Sequence, residues 1–562
     1  MERSINRQTP ARKESTSSGF AILGTASIIC KILAIIYIPF QRHIFNDGGD
    51  AIVANGYILF TFLFSLSNAG LPSSLSKMIA HQTAIGNHRA SMKILKCAYV
   101  VMLVLGILCG GVMLLGAHWI AQDFFKQADG ELMILCFSPI LIITSVSCAL
   151  RGYFQGRQNM RAVAVSQVLE QLLNVVFTVV FAWMLIGKGL KYGAAGTTIG
   201  TLLGALAAAG FLAFIFFGLT AKQRKREISR QSYDGPEMTT KEIYGQILLY
   251  SLPAILSTIA TCAPSLIDSG QCIQFLENAG FNGKVANRIY GIYSYQYQRL
   301  FTLAIAFSTA LVTALIPAVS SALAVKDFKL VRHRINESYK AIYIITVPSI
   351  FGLSFLAQPM LSMLLFDLKA PGANLVIFGT WTAILMTIQY VQSSILIAVG
   401  RPIVASVNPI IGMVFKVFLN FILMQIPSIN IGGAIIGTAV GWFIAIILNQ
   451  YAIHQSFKFK IYFIRLLFKP ALASLVMGAA CLLVYNGFAK LLFLIFSSHI
   501  PYLLINDVSV LLAIGIGIGV YFTVMIFIGG VKKGDITRLP LGTRICRLIT
   551  KVPFLDERLQ VN

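Results

Sequence analysis

Long apolar segments separated by short polar ones follow one another along almost the whole chain. A membrane-spanning helix needs about 20 mostly apolar residues. Windows of that kind lie near residues 18–40, 52–74, 94–117, 131–152, 163–186, 193–218, 245–267, 297–322, 341–365, 374–398, 405–426, 431–453, 469–488 and 506–530. The pattern therefore predicts an all-α, polytopic membrane protein with fourteen transmembrane helices, of which the tenth and eleventh meet in a tight turn at residues 400–402.

The polar segments alternate between strongly basic and weakly charged. Of the 45 Lys and Arg residues, 34 lie in the two tails and in every second loop, including residues 151–161 and 222–241, whereas the opposite loops carry 9. Cytoplasmic loops of membrane proteins carry an excess of Lys and Arg. We therefore expect a multi-pass protein with both termini in the cytoplasm.

Composition agrees with the hydrophobic pattern. The chain is 57% hydrophobic and 12% charged, whereas soluble domains carry about 25% charged residues. The formal net charge of +24 is mostly the topological excess of Lys and Arg. Basic patches interleaved with aromatic residues are missing, so nucleic acid is not an expected partner.

The chain lacks the motifs of common catalytic and cofactor sites. Its nine cysteines are scattered without CxxC or Cys/His spacing, so neither a disulfide framework nor a metal site is expected. Neither a P-loop nor a hydrolase motif occurs. We expect a carrier rather than an enzyme, with no nucleotide cofactor. Transport would then draw on an ion gradient such as Na⁺, on the membrane potential, or on downhill flux of substrate.

Two pairs of short motifs indicate an internal repeat. EQLLN at residues 170–174 matches KVFLN at 416–420, and GTTIG at 196–200 matches GTAVG at 437–441, with offsets of 246 and 241 residues. These matches predict two six-helix lobes related by pseudo-twofold symmetry, followed by two further spans. The predicted parts are a basic tail (1–17), an N-lobe (18–218), a cytoplasmic linker (219–244), a C-lobe (245–453), spans thirteen and fourteen (454–530) and a second basic tail (531–562).

Several charged residues lie inside or beside the predicted spans, where an uncompensated charge costs about 2.5–3.5 kcal/mol. Lys31 lies nine residues from Phe40, about 13 Å along a helix. It either makes a polar contact between helices or faces a water-filled cavity that binds an anionic headgroup. Arg288 and Arg299 flank the beginning of the eighth span, either solvated or at the mouth of that cavity.

A second set of polar residues suggests coupling or conformational roles. Lys416 lies deep in the eleventh span, Glu170 is its counterpart in the repeat, Asp268 ends the seventh span, and Asn420 is one turn from Lys416. Lys416 and Asp268 either neutralise each other or bind an ion. The charge run of the 219–244 segment is either a solvated cytoplasmic face or a site for lipid headgroups.

Three stretches resemble a known family. They are CKILAIIYIPF (30–40), NGYILFTFLFSLSNAGLPSSLSKMIA (55–80) and, most specifically, RGYFQGRQNMRAVAVSQVLEQLLN (151–174). Together with residues 286–324 they are similar to the MurJ-type and stage V sporulation protein B-type lipid flippases of the multidrug/oligosaccharidyl-lipid/polysaccharide exporter superfamily. The resemblance covers nearly the whole chain except the first 17 residues and the C-terminal tail.

The resemblance implies a fourteen-span, two-lobed carrier of a bacterial cell membrane. Such a carrier moves lipid II, the undecaprenyl-pyrophosphate-linked peptidoglycan precursor, from the inner to the outer leaflet by alternating access. Cations of the first, second and eighth spans line its central cavity and meet the pyrophosphate. Lys31 falls where the family has an arginine, and Arg288 matches the arginine that opens the eighth span.

This sequence departs from the family pattern at two cavity cations. Tyr37 lies near the position of the second cation of the first span, and the second-span stretch LSNAGLPSS (66–74) is uncharged. We expect Arg299 to compensate. In some members a sodium ion lies between the seventh and eleventh spans, where this chain has Lys416, so a tethered ammonium is expected to replace the ion. The last two spans are implied to form a groove for the lipid tail.

Lipid II is therefore the first expected substrate, with membrane lipids as the other partners of a monomeric protein. One alternative is an exporter of another polyprenyl-linked oligosaccharide, for a polysaccharide or the spore cortex. A second is a cation-coupled multidrug exporter, although Lys31 and Arg288 would repel cationic drugs. A third, of another class, is a scaffold of an envelope-building complex that transports nothing.

Overall fold

The computed structural model describes residues 22–531 except for short gaps, and all regular elements in that part of the chain are helices. The gaps are residues 23–24, 27–28, 31–32, 35, 69, 230, 232, 234, 236–237, 303, 306–311, 313–318, 321, 324, 326, 366–370, 458–462 and 497–500, and for residues 46–48 and 496 only the backbone is described. The all-α prediction is thus confirmed over the described ranges.

Among the described residues, eleven helices are long and apolar enough to cross a membrane, and one bent helix pair raises the number to twelve. The bent pair, Ala373–Gly379 with Thr382–Ala398, turns by 42° and corresponds to the predicted tenth span. The first and eighth predicted spans, 18–40 and 297–322, run over residues outside the described part. The membrane class is therefore confirmed, and the total of fourteen is consistent with it.

The chain folds into two compact units. Unit 1 comprises residues 55–262 together with those before 46, and unit 2 comprises residues 46–54 together with those after 262. The boundary at Cys262 falls within a helix and not in the 219–244 segment. The lobes defined by the sequence repeat are a different division and stay a prediction.

The helices up to this boundary follow one another with short connections. Asn87 and Asn159 begin two of them by accepting a hydrogen bond from the backbone N–H three residues later, which satisfies an otherwise unpaired donor. The helices are α1 (Ile38–Asn68), α2 (Leu71–Ala84), α3 (His88–Trp119), α4 (Glu131–Gly156), α5 (Met160–Ile186), α6 (Leu190–Phe214), α7 (Ala221–Ser229) and α8 (Thr240–Asn278), which continues into unit 2.

The described part of unit 2 adds nine α-helices to the end of α8. They are α9 (Gly283–Gly291), α10 (Phe328–Phe355), α11 (Ala357–Leu365), α12 (Ala373–Gly379), α13 (Thr382–Ala398), α14 (Pro402–Leu423), α15 (Gly432–Phe457), α16 (Phe463–Phe496) and α17 (Tyr502–Phe527). The predicted turn at 400–402 is confirmed: Gly400 has φ +86°, and Pro402 begins α14. Proline fits there because the first helical residue needs no N–H partner.

The glycines of the repeated motifs lie at close contacts between helices in both units. In unit 1, a Cβ on Gly196, Gly200 or Gly204 of α6 would collide with the backbone of α5. In unit 2, a Cβ on Gly441 would lie 2.8 Å from the carbonyl oxygen of Gly412 in α14. Small residues let helices approach closely, which is how membrane helices associate. In each unit, the helix with the glycine motif therefore packs closely against the helix that precedes it.

Part of the predicted linker is the helix α7. Arg157 after α4 donates to Glu227 of α7 over 2.6 Å. Arg224 donates to the carbonyl oxygen of Phe216, and its guanidinium lies 3.9 Å from the centre of that ring. These two residues of the charge run, Arg224 and Glu227, therefore bind partners within unit 1.

Candidate functional site

Asp268 is the centre of a buried polar network in unit 2. Its Oδ2 lies 2.7 Å from Nζ of Lys416, and its Oδ1 accepts a hydrogen bond of 2.8 Å from Nδ2 of Asn420. Asp268 in α8 is 1% exposed and Lys416 in α14 is 5% exposed. Of the two alternatives that the sequence left open, the structure has the direct ion pair. A buried carboxylate needs such partners because desolvation of a single charge is costly.

Helix geometry places the two donors of α14 on one face. Lys416 and Asn420 are four residues apart, so they lie one above the other on the side that contacts α8. Lys416 also donates to the carbonyl oxygen of Pro264, over 3.4 Å. Gly437 of α15 lies on the other side of Asn420. A Cβ on Gly437 would collide with Oδ1 of Asn420.

A third donor to Asp268 was missed by the sequence reasoning. The hydroxyl of Tyr293 donates to Oδ2 of Asp268 over 2.9 Å, and this tyrosine is 2% exposed. Tyr293 lies in a π-helical turn, Ile292–Tyr297, immediately after α9. The signal for this residue was the concentration of tyrosines in residues 290–297.

Arg288 and Arg299 lie on either side of this π turn. Arg288 is exposed on the last turn of α9, and Arg299 is half-buried, with its guanidinium 5.5 Å from the centre of the Tyr295 ring. Lys31, the third predicted pyrophosphate ligand, lies outside the described residues. The structure therefore brings the two arginines into one element but does not test their assignment to a substrate.

Glu170 belongs to a separate charged pair in unit 1. Arg151 near the end of α4 makes an ion pair with Glu170 of α5 and donates from Nε to Oγ of Ser166 over 3.2 Å. Arg151 is 9% exposed and lies within a helix, so its assignment to a loop at 151–161 was wrong. The helix continues to Gly156, and the carboxylate of Glu170 compensates the buried guanidinium.

Both units thus carry a charged residue at the position of the repeated motif. Glu170 in unit 1 and Lys416 in unit 2 have opposite signs, and each has a partner of complementary charge, Arg151 and Asp268 respectively. Within the described residues, no three His, Cys, Asp or Glu side chains are grouped so that they could hold a metal ion.

Comparison with known proteins agrees with the resemblance seen in the sequence. The chain is 25% identical over 485 residues to the lipid II flippase MurJ of Bacillus subtilis (strain 168), covering 83% of this chain and 88% of the flippase. It is 26% identical over 457 residues to stage V sporulation protein B of the same organism, covering 80% and 86%.

A solved structure gives the same result for the fold. The inward closed conformation of a lipid II flippase MurJ superposes with a TM-score of 0.60 at 15% identity, over 90% of this chain and 98% of that structure. Residues 17–323, more than half of the chain, match the family described as polysaccharide biosynthesis protein. The chain therefore belongs to the polysaccharide biosynthesis protein family and has the fold of a multi-pass membrane transporter.

Proposed function

We propose that this protein is a flippase that moves lipid II from the cytoplasmic to the outer leaflet by alternating access. The observation that carries the proposal is the similarity to the lipid II flippase of Bacillus subtilis over most of both chains. Two basic residues on either side of the π turn, Arg288 and Arg299, give it a chemical basis. Guanidinium groups suit a pyrophosphate because their planar donors bind phosphate oxygens in pairs.

Lys31, Arg288 and Arg299 are the proposed ligands of the pyrophosphate. The polyprenyl tail stays in the hydrocarbon while only the headgroup crosses. Spans thirteen and fourteen, α16 and α17, would receive the tail. Their outward side chains support this role because large apolar residues there are highly exposed, including Leu483 (75%) and Leu494 (80%). Both termini are proposed to be cytoplasmic, from the distribution of Lys and Arg.

The proposed flippase uses neither nucleotide nor metal cofactor, and it works as a monomer. Asp268, Lys416 and Asn420 are proposed to act in coupling, with the ammonium of Lys416 in place of a free sodium ion. Glu170, the counterpart of Lys416 in unit 1, is proposed to act in the same way through its ion pair with Arg151.

A second candidate is the export of another polyprenyl-pyrophosphate oligosaccharide, for the spore cortex or a polysaccharide. The observation that favours it is the nearly equal similarity to stage V sporulation protein B, at 26% identity. Both candidates share the pyrophosphate headgroup and the polyprenyl tail. They differ in the sugar, so an experiment with a defined glycolipid separates them.

The test is a leaflet-accessibility assay for lipid II in bacteria depleted of their own flippase and expressing this chain. We expect lipid II to reach the outer leaflet and growth to be restored. Lys31→Ala and Arg288→Ala should abolish both while the protein is still present in the membrane. Lys188→Ala, which removes an exposed loop cation, is the matched control and should keep both.

Failure of the wild-type chain to expose lipid II would reject lipid II as substrate. The same assay with a different polyprenyl-linked oligosaccharide would then decide on the second candidate. Normal growth of both cation variants would instead reject the assignment of Lys31 and Arg288 to the pyrophosphate.

A further inference from the structure

A π-helical turn, Ile292–Tyr297, lies between Arg288 and Arg299, just before the eighth predicted span, and it changes the directions in which the two side chains point. The N–H of Gln298 donates to the carbonyl oxygen of Tyr293, five residues earlier. Such a turn holds one residue more than an α-helical turn. Every later residue is therefore rotated by about 100° relative to an uninterrupted α-helix. π turns inside helices occur frequently at functional sites.

Arg288 and Arg299 are separated by eleven positions. In an uninterrupted α-helix that spacing amounts to about three turns, so both side chains would point to the same face. With the π turn between them, the two side chains no longer point to the same face. In agreement with this, Arg288 is exposed whereas Arg299 is half-buried against Tyr295. The turn thus sets the angle between the two guanidinium groups.

Buried side chains of the turn bind it to its surroundings in unit 2. Tyr293 donates to Asp268 in α8. The backbone N–H of Gly372, at the start of α12, donates to Oε1 of Gln296 over 2.8 Å. At the other end of α12, the hydroxyl of Tyr297 donates to the carbonyl oxygen of Gly379 over 3.1 Å.

The fit between the turn and α12 is close at both ends of that helix. A Cβ on Gly372 would lie 2.8 Å from Cβ of Gln296, and one on Gly379 would collide with the ring of Tyr297. Gln296 is 2% exposed and Tyr297 4% exposed. Contacts of this kind fix the π geometry, because an unusual helical turn persists only where its surroundings hold it.

We propose that Tyr293 and Gln296 are positioning residues for the headgroup. By holding the π turn, they set the angle at which Arg288 and Arg299 meet the two phosphates of one pyrophosphate. The inference rests on the proposed function, since it takes both arginines as pyrophosphate ligands. It goes further by naming what selects a pyrophosphate over a monophosphate. A pyrophosphate offers a separate phosphate to each guanidinium, which a monophosphate does not, and it binds both with good geometry only if their angle is correct.

The test measures the binding of farnesyl pyrophosphate and of farnesyl monophosphate to the purified full-length protein in detergent. We expect the wild type to prefer the pyrophosphate by at least about tenfold. Tyr293→Phe removes only the hydroxyl, and Gln296→Leu removes the acceptor for Gly372. Both variants should lower the preference to about two- to threefold, because one guanidinium is then misaligned.

Tyr339→Phe is the matched control. Tyr339 is also fully buried in unit 2, but no partner of its hydroxyl occurs among the described residues. It should keep the wild-type preference. A loss of folding would lower the binding of both ligands alike, whereas misplacement of the arginines lowers the ratio. In an Arg288→Ala background, Tyr293→Phe should change the ratio no further.

The outcomes separate the inference from the proposed function. If Arg288→Ala leaves pyrophosphate binding unchanged, the arginine is not a ligand and the proposed function loses its chemical basis. If Arg288→Ala weakens the binding but Tyr293→Phe and Gln296→Leu keep the wild-type ratio, the positioning role is rejected and the proposed function stands. An equal loss of ratio in Tyr339→Phe would also reject the inference.

Discussion

The ammonium of Lys416 lies 2.7 Å from the carboxylate of Asp268, and both side chains are almost completely removed from solvent. The carboxylate receives two further hydrogen bonds, from Asn420 and Tyr293. This arrangement joins α8, α14 and the π turn after α9 within one unit. Because a buried pair is stable only while both charges remain, it is sensitive to the loss of either one.

Removal of Lys416 alone should destabilise the protein strongly. Lys416→Met leaves the charge of Asp268 buried with only neutral donors, which we expect to cost about 3–5 kcal/mol. The double variant Lys416→Met/Asp268→Asn removes both charges and should recover much of that loss. Unfolding in detergent measures both, with the exposed Lys188→Met as control. Additive effects of the two single substitutions would show that the pair is not coupled.

Lys416 should also decide whether transport depends on sodium. If its ammonium takes the place of a free cation, the wild type flips substrate equally well in sodium and in choline buffers. Lys416→Ala opens a negatively charged site at Asp268, so the remaining activity should require sodium. Flipping in proteoliposomes, with sodium as the only variable, checks this. Equal activity of Lys416→Ala in both buffers contradicts the tethered-ammonium hypothesis.

The pair of Arg151 and Glu170 should be more important for stability than the more exposed pair of Arg334 and Glu337. Glu170→Gln leaves the guanidinium of Arg151 buried without its counter-charge, and we expect a loss of about 2–4 kcal/mol. Glu337→Gln removes the partner of Arg334, whose side chain is 45% exposed, and should cost about 1 kcal/mol or less. Thermal unfolding of the two variants in the same detergent gives the comparison, and equal shifts would count against a special role for the buried pair.

The glycine face of α6 should tolerate no added methyl group where it meets α5. Gly200→Ala would drive a Cβ into Thr178, and overpacking of this kind costs about 1–3 kcal/mol. Gly210 is in the same helix, but a Cβ there meets nothing within 4 Å. Gly210→Ala should be neutral or stabilise the helix by up to about 1 kcal/mol. A Gly200→Ala protein that unfolds like the wild type would contradict the close packing of the two helices.

The sequence identified more of the buried network than of its surroundings. Lys416, Asp268 and Asn420 stood out because charged and amide groups are rare inside apolar spans, and the structure brings them together. Tyr293 did not stand out, since a tyrosine in an apolar stretch is ordinary and its hydroxyl partner is 25 residues away. The pairing of Arg151 with Glu170 was missed because the charge pattern places Arg151 in the basic loop 151–161, whereas the helix continues to Gly156.

The sequence by itself determined the class of the protein. Helices in a bilayer satisfy their backbone hydrogen bonds internally, so long apolar windows predict each span without knowledge of its neighbours. The repeated glycine motifs and the turn at Gly400 were readable for a similar reason, because close approach and positive φ depend on local residue type. Only the tertiary structure decided which charges meet and where the eighth span takes its π turn. Those features depend on contacts between residues far apart in the chain, such as Tyr297 with Gly379, and no local pattern specifies them.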